Sequence, residues 1–168
     1  MSSIEITKIK SKLAKDIILY PNPILQQICE EIDINNKEDL KLAENIALDL
    51  INTIKVTSNI AGLAAPQIGY NKRIFAYKIG SLNIVCVNPE ITTLPGITTK
   101  ILSTESCLSI SNYSNTISRY DNIMLKSYSL KSKSVYNIWL KDKHAIVVQH
   151  EIDHLNGILI NDYKEKNQ

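Results

Sequence analysis

Two histidines four residues apart, with a glutamate beside the first, limit what this chain can fold into more than any other stretch does: Gln149-His150-Glu151-Ile152-Asp153-His154. On a helix, positions four apart sit one above the other on one face. His150 and His154 can therefore reach one metal ion together, and Glu151 can reach a water on that ion. Two neutral imidazoles hold a divalent ion, the ion lowers the pKa of its water, and a carboxylate moves the proton. The required helix is written around the motif. Ala145, Ile146, Val148, Ile152 and Leu155 supply an apolar stretch, Asp142 reads as the N-cap, and Gly157 reads as the residue that stops the helix. The same spacing also arises on surface helices whose histidines are unrelated, so the motif needs a third ligand to become a site.

That ligand is sought upstream. His150-Glu151-x-x-His154-x-x-Gly157 resembles the opening of a metzincin motif, but position 160, where that pattern needs another His, is Ile160. Only a short polar stretch follows, with no glutamate placed as other zincins place theirs. His144 stands six positions before His150, roughly 600° around a helix, and so points to a different face. A cysteine or a carboxylate remains. Cys29 reads as a small buried residue, and Cys86, within Ile84-Val85-Cys86-Val87, reads as strand core. Cys107, in Glu105-Ser106-Cys107-Leu108-Ser109, falls between two strand-like runs, where a thiolate can meet a metal.

With these residues in view, the chain resembles the peptide deformylases. That family carries G-x-G-L-A-A-x-Q, E-G-C-L-S and Q-H-E-x-D-H in this order. The corresponding stretches are Ile60-Ala61-Gly62-Leu63-Ala64-Ala65-Pro66-Gln67, Glu105-Ser106-Cys107-Leu108-Ser109, and Gln149 to His154. The likeness runs from about Tyr20 to about Tyr163. Two family glycines are replaced, by Ile60 and by Ser106, and both flank the groove where backbone approaches the ligand. A side chain at either place is expected to narrow the groove or change its hydrogen bonding. The loop expected at 110–115, Ile110-Ser111-Asn112-Tyr113-Ser114-Asn115, lacks the Pro and Arg that many bacterial members carry.

A chain of 168 residues reads as one domain, 1–168, with an N-terminal extension over 1–19 and a short polar tail at 164–168. Hydrophobic content of 44% and charged content of 21% suit a globular protein. A net charge of +2 suggests neither nucleic acid nor membrane as a partner. Three cysteines and no apolar leader point to a reducing compartment, the cytoplasm. The prolines of 20–23 mark a turn and 24–28 a short helical turn. Asn35 or Asn36 then caps a strong helix whose stripe is Leu40, Ala43, Ala47, Leu50 and Ile54. Residues 58–70 read as a loop. Hairpins are expected from 73–78 with 82–88 and from 121–130 with 135–140; Pro89 punctuates, and 98–103 is a strand leading to Cys107. The expected fold is α+β: antiparallel β-sheets packed around a C-terminal HExxH helix, with one long N-terminal helix.

The resemblance implies the chemistry. Cys107, His150 and His154 would bind one divalent metal, Fe²⁺ in the cell, with Zn²⁺, Ni²⁺ or Co²⁺ accepted in a purified sample. Glu151 would carry the proton, and Gln67 and the backbone N–H of Leu108 would stabilise the oxyanion. The substrate would be the formyl-methionyl end of a nascent polypeptide, met at the ribosome by a monomeric enzyme. It would lie beside Ile60-Ala61-Gly62 as an added strand. Ala61, Ile146 and Val147 would line the methionine pocket, with Glu105 and Ser106 also in contact with the peptide. Asp153 is expected to pair with Arg119 behind the ligands. Two rival readings are a general metallopeptidase, and a relative that binds metal or formyl peptide and turns over poorly.

Overall fold

The computed structural model describes residues 14–164. The first long helix, α1 (Lys37–Val56), begins where the Asn36 side-chain oxygen accepts from the N–H groups of Glu38 (2.8 Å) and Asp39 (3.3 Å). Two of the donors that every helix start leaves unpaired are thereby satisfied. Glu38 and Asp39 in the first turn and Lys55 in the last complement the helix dipole. Ala43, Ile46, Ala47, Leu50 and Ile54 form its buried stripe. Each fully buried Leu or Ile contributes roughly 1.5–3 kcal/mol.

Among the described residues, seven strands follow: β1 (Gly62–Ala64), β2 (Ile74–Ile79), β3 (Leu82–Thr92), β4 (Lys100–Cys107), β5 (Ile110–Tyr120), β6 (Asn122–Ser129) and β7 (Ser134–Lys141). Five of them make one antiparallel sheet in the order β1-β2-β3-β6-β7, while β4 and β5 make a separate two-stranded sheet. Successive side chains of a strand point to opposite faces. In β2, Ile74 and Ala76 join the core beneath α1, and Phe75 and Tyr77 join the core beneath the second helix, α2 (Asp142–Leu155). With both faces covered, β2 reads as a continuous apolar run. Cys107, Ile117 and Ile160 form a third, smaller cluster under the β4–β5 hairpin.

Helix α2 leaves β7 without a loop, and this alters its start. The N-cap position is Lys141, with no side-chain cap; Asp142 is the first helical residue, at φ 50, and its N–H donates to Asp121 O at 2.8 Å. The expected Asp142 cap is therefore not made, because the strand delivers the chain directly into the helix. The far end follows the sequence reading. Gly157, at φ 71, donates to His154 O and Ile158 donates to Asp153 O, the paired bonds of a glycine-terminated helix. A Cβ on Gly157 would stand 2.7 Å from backbone atoms of Gln26.

Three further expectations change. The 58–70 loop contains β1, whose Gly62, Leu63 and Ala64 pair with Tyr77, Ala76 and Phe75, and a 3₁₀ turn at Ala65–Ile68. Three small or apolar residues are too short a run to show strand alternation. The 110–115 loop is the start of β5. Its register jumps from Ser106↔Ser114 to Cys107↔Ile110, so 111–113 bulge from the ladder, with Asn112 at φ 55. Pro89 does not end β3; it sits at a register shift between Val87 and Glu90, where a missing N–H costs no ladder bond.

Residues 15–19, placed by the sequence within an extension, run with Tyr20 along the body of the fold. Lys15 N–H donates to Thr53 Oγ1 (2.9 Å), Ile18 N–H to Gln67 O (2.8 Å) and Tyr20 N–H to Ser109 O (2.8 Å). Residues 1–13 of that extension and 165–168 of the expected tail lie outside the described residues.

Candidate active site

The metal-ligand candidates come from two bodies. Cys107 ends β4 and is buried. His150 and His154 project from α2, their rings edge to face at 5.0 Å. The ligand atoms of the three lie within 4.8 Å of one another, the one such group of three among the described residues. Cys107 Sγ is 3.3 Å from His154 Nε2. A thiolate and two imidazoles are the donor types that hold a catalytic ion on three sides and leave a fourth open. His144 takes no part in the group.

The rings are oriented from behind. His150 Nδ1 meets Glu105 Oε2 at 2.9 Å. Glu105 in turn receives Arg119 Nε and Nη2, both at 2.8 Å, in the planar fork that suits a carboxylate. Burial alone would push the Glu105 carboxyl up, but hydrogen bonds and charge from Arg119 and His150 outweigh it and hold it down at about 2. Arg119 Nη1 lies 2.6 Å from Asp153 Oδ2, and the Tyr163 hydroxyl donates to the same oxygen at 2.7 Å. Asp153 and Arg119, expected to pair, thus join a network that ties β4, β5, α2 and residue 163 together. Glu105, expected to touch the peptide, stands at the cleft with its carboxylate turned away from the open side. Both its oxygens face Arg119 and His150, so it acts as a support for the ring.

Glu151 is 3% exposed, and burial pushes its carboxyl up to about 7. Its Oε2 has no hydrogen-bond partner among the described residues. Gly62 makes room for it: a Cβ there would stand 2.9 Å from Glu151 Cγ and Cδ and would overlap Oε1. Gln67, on the 3₁₀ turn, is 3% exposed; its Oε1 accepts from Ala64 N–H at 2.9 Å, so its amide nitrogen is turned towards Cys107 Sγ, 3.7 Å away. Leu108 is in the two-residue turn after Cys107 and is 40% exposed.

These groups open onto one cleft of about 270 Å³. Ala61, Gly62, Ser106, Ile146 and Val147 line it together with Cys107 and His150, while His154, 1% exposed, is not among its lining residues. Asn59, at φ 55, also lines it and carries no motif signal. Ile60 differs from expectation. It borders the cleft but is only 6% exposed and packs with Ile46, Leu50 and Leu63 in the core under α1. Its bulk fills the core more than the groove. Restoring glycine at 60 is therefore expected to cost about 2–3 kcal/mol in urea unfolding, with no gain in kcat/KM for formyl peptides. A gain in kcat/KM at unchanged stability would show that Ile60 narrows the groove after all. Two other residues carry roles that the sequence does not signal. Tyr163 supports Asp153, and the Gln149 amide, part of the histidine motif, bonds Tyr120 N–H and C=O at 2.9 Å each, joining α2 to the end of β5.

A family model, polypeptide deformylase, matches residues 14–168. A peptide deformylase of Desulforudis audaxviator is 35% identical over 156 residues, covering 89% of this chain and 96% of the relative. One from Dictyoglomus turgidum is 37% identical over 141 residues, covering 84% and 86%. The crystal structure of the Thermotoga maritima peptide deformylase superposes with a TM-score of 0.80 at 29% identity, over 92% of this chain and all of that one. That of Synechococcus elongatus, in complex with actinonin, gives 0.78 at 26% identity, over 93% and 81%. Sequence, fold and cleft agree, and the chain belongs to the peptide deformylase family, the metal-dependent hydrolases that remove the N-formyl group from nascent polypeptides.

Proposed function

We propose that this chain hydrolyses the formyl amide of formyl-methionyl peptides with Cys107, His150 and His154 holding one divalent ion, Fe²⁺ in the cell. The observation that carries this reading is the convergence of one thiol and two imidazoles within 4.8 Å, two of the three, Cys107 and His150, lining a cleft that also holds Glu151 and Gln67. The donor set fits such an ion, which when bound acidifies a water and polarises the formyl carbonyl. Glu151 takes the proton from the attacking water. The water oxygen bonds to the formyl carbon, the carbon–nitrogen bond breaks, and Glu151 returns the proton to the leaving methionine amine as formate departs. Gln67 and the Leu108 N–H donate to the formyl oxygen as it gains negative charge.

Strand β1 is terminal in its sheet, which suits a peptide added alongside 60–62. Ala61, Ile146 and Val147 offer an apolar wall for the methionine side chain, and Ser106 a hydroxyl beside it. The compartment proposed is the cytoplasm and the encounter proposed is with the nascent chain at the ribosome, by a monomer. Three free cysteines support a reducing setting, and no helix among the described residues is long and apolar enough to cross a membrane.

Cys107→Ser tests the ligand set. Losing the soft thiolate is expected to lower the iron and zinc content of protein purified without oxygen, and formate release with it. Cys29→Ser and Cys86→Ser should leave metal content unchanged. Full metal and full formate release from Cys107→Ser would refute the assignment.

A further inference from the structure

Ser109 has no part in the chemistry above, yet it is 1% exposed and faces the group proposed to stabilise the oxyanion. Its Oγ accepts from Gln67 Nε2 at 3.2 Å. A primary amide offers one acceptor oxygen and two N–H donors. In Gln67 the oxygen is taken by Ala64 N–H, and one donor is taken by Ser109. The second donor reaches Cys107 Sγ at 3.7 Å, on the side of the amide that lines the cleft. The carboxamide is thus pinned at both ends. A flip would set its nitrogen against the Ala64 N–H and its oxygen against the Cys107 sulfur.

The two residues are also held by their main chains. Ile18 N–H donates to Gln67 O and Tyr20 N–H donates to Ser109 O, both at 2.8 Å. These are alternate residues of one extended segment. Gln67 belongs to the turn that leaves β1 of the five-stranded sheet, and Ser109 to the turn of the separate β4–β5 sheet. The segment therefore fixes the distance between two turns that share no ladder, and Ser109 Oγ uses that distance to aim the amide.

We infer that Ser109 is a positioning residue for deformylation: its hydroxyl sets the rotational state of the Gln67 amide so that one N–H points at the formyl oxygen. The inference rests on the proposed role of Gln67. An N–H that meets the oxygen only as charge develops contributes to kcat and little to KM. Without the hydroxyl the amide samples other rotamers, at the cost of about one hydrogen bond, or roughly tenfold in rate.

The test is a four-way comparison on nickel-loaded protein, with formate release from formyl-Met-Ala-Ser as the assay. Gln67→Met should lower kcat by about 10²-fold. Ser109→Ala should lower kcat by about tenfold, with KM within about twofold and metal content unchanged. Ser109→Thr, which keeps the hydroxyl, should recover most of the loss. In the Gln67→Met background, Ser109→Ala should cost nothing further, because nothing is left to aim. Should Ser109→Ala fail to fold, Ser109→Cys carries the same comparison as a near-isostere with a weak acceptor. An equal loss in both backgrounds, or no loss in the first, would overturn the role of Ser109 while leaving Gln67 in place. No loss from Gln67→Met would overturn both, and would locate the failure in the reading of Gln67.

Discussion

Glu151→Gln is expected to lower kcat for formyl-methionyl peptides by about 10²–10⁴-fold while metal content and KM stay near their original values. The amide has the same shape, so the cleft, the ligands and the contact with Gly62 persist. What disappears is the capacity to accept a proton and return it. The surroundings of Glu151 favour proton transfer in both directions. Burial lifts its carboxyl to about 7, and general acid–base catalysis is most efficient when the pKa lies close to the working pH. Metal analysis beside formate release decides the matter. A metal-loaded variant that retained near-original turnover would require another base, and none of the other residues lining the cleft is a carboxylate free of an Arg partner.

Arg119→Met should destabilise the fold by about 3–5 kcal/mol, read by urea unfolding. Arg119 is 3% exposed and satisfies two carboxylates at once, Glu105 through two nitrogens and Asp153 through the third. Methionine keeps much of the side-chain length and removes all five donors. Two acids are left without the cation they share, one of them holding His150, so metal retention should fall together with stability. Arg119→Lys should recover only part of the loss, because a point charge cannot reproduce the fork. A loss below about 1 kcal/mol would mean that the network is solvated and carries little.

The scaffold is legible in the sequence where a local rule decides the outcome. Asn36, one of the two caps the sequence offers, starts a helix, the residues between 73–78 and 82–88 turn a hairpin, and Gly157 ends a helix, each by atoms a few residues apart. The separate β4–β5 sheet is not legible, because alternation tells which face of a strand is buried and says nothing about which strand lies beside it. Ile60 shows the same limit in one residue. Its β-branched side chain stands two places before Gly62, and only the position of α1 decides that it turns into the core. The motif puts Glu105 at the cleft, but its orientation depends on Arg119, fourteen residues away on another strand. The metal-ligand candidates can be found because their chemistry admits so few residue types, even though Cys107 and His154 are 47 residues apart.

Gly62 bears on how the protein could escape an inhibitor. A peptide-like compound that lies along β1 would touch position 62 on the edge of the sheet, and resistance usually begins with a side chain that crowds such a compound out. Here the space a side chain would need already holds the Glu151 carboxylate. Any residue larger than glycine would displace the proposed proton carrier before it displaced the drug, so on that assignment resistance at this position would cost the activity it was meant to protect.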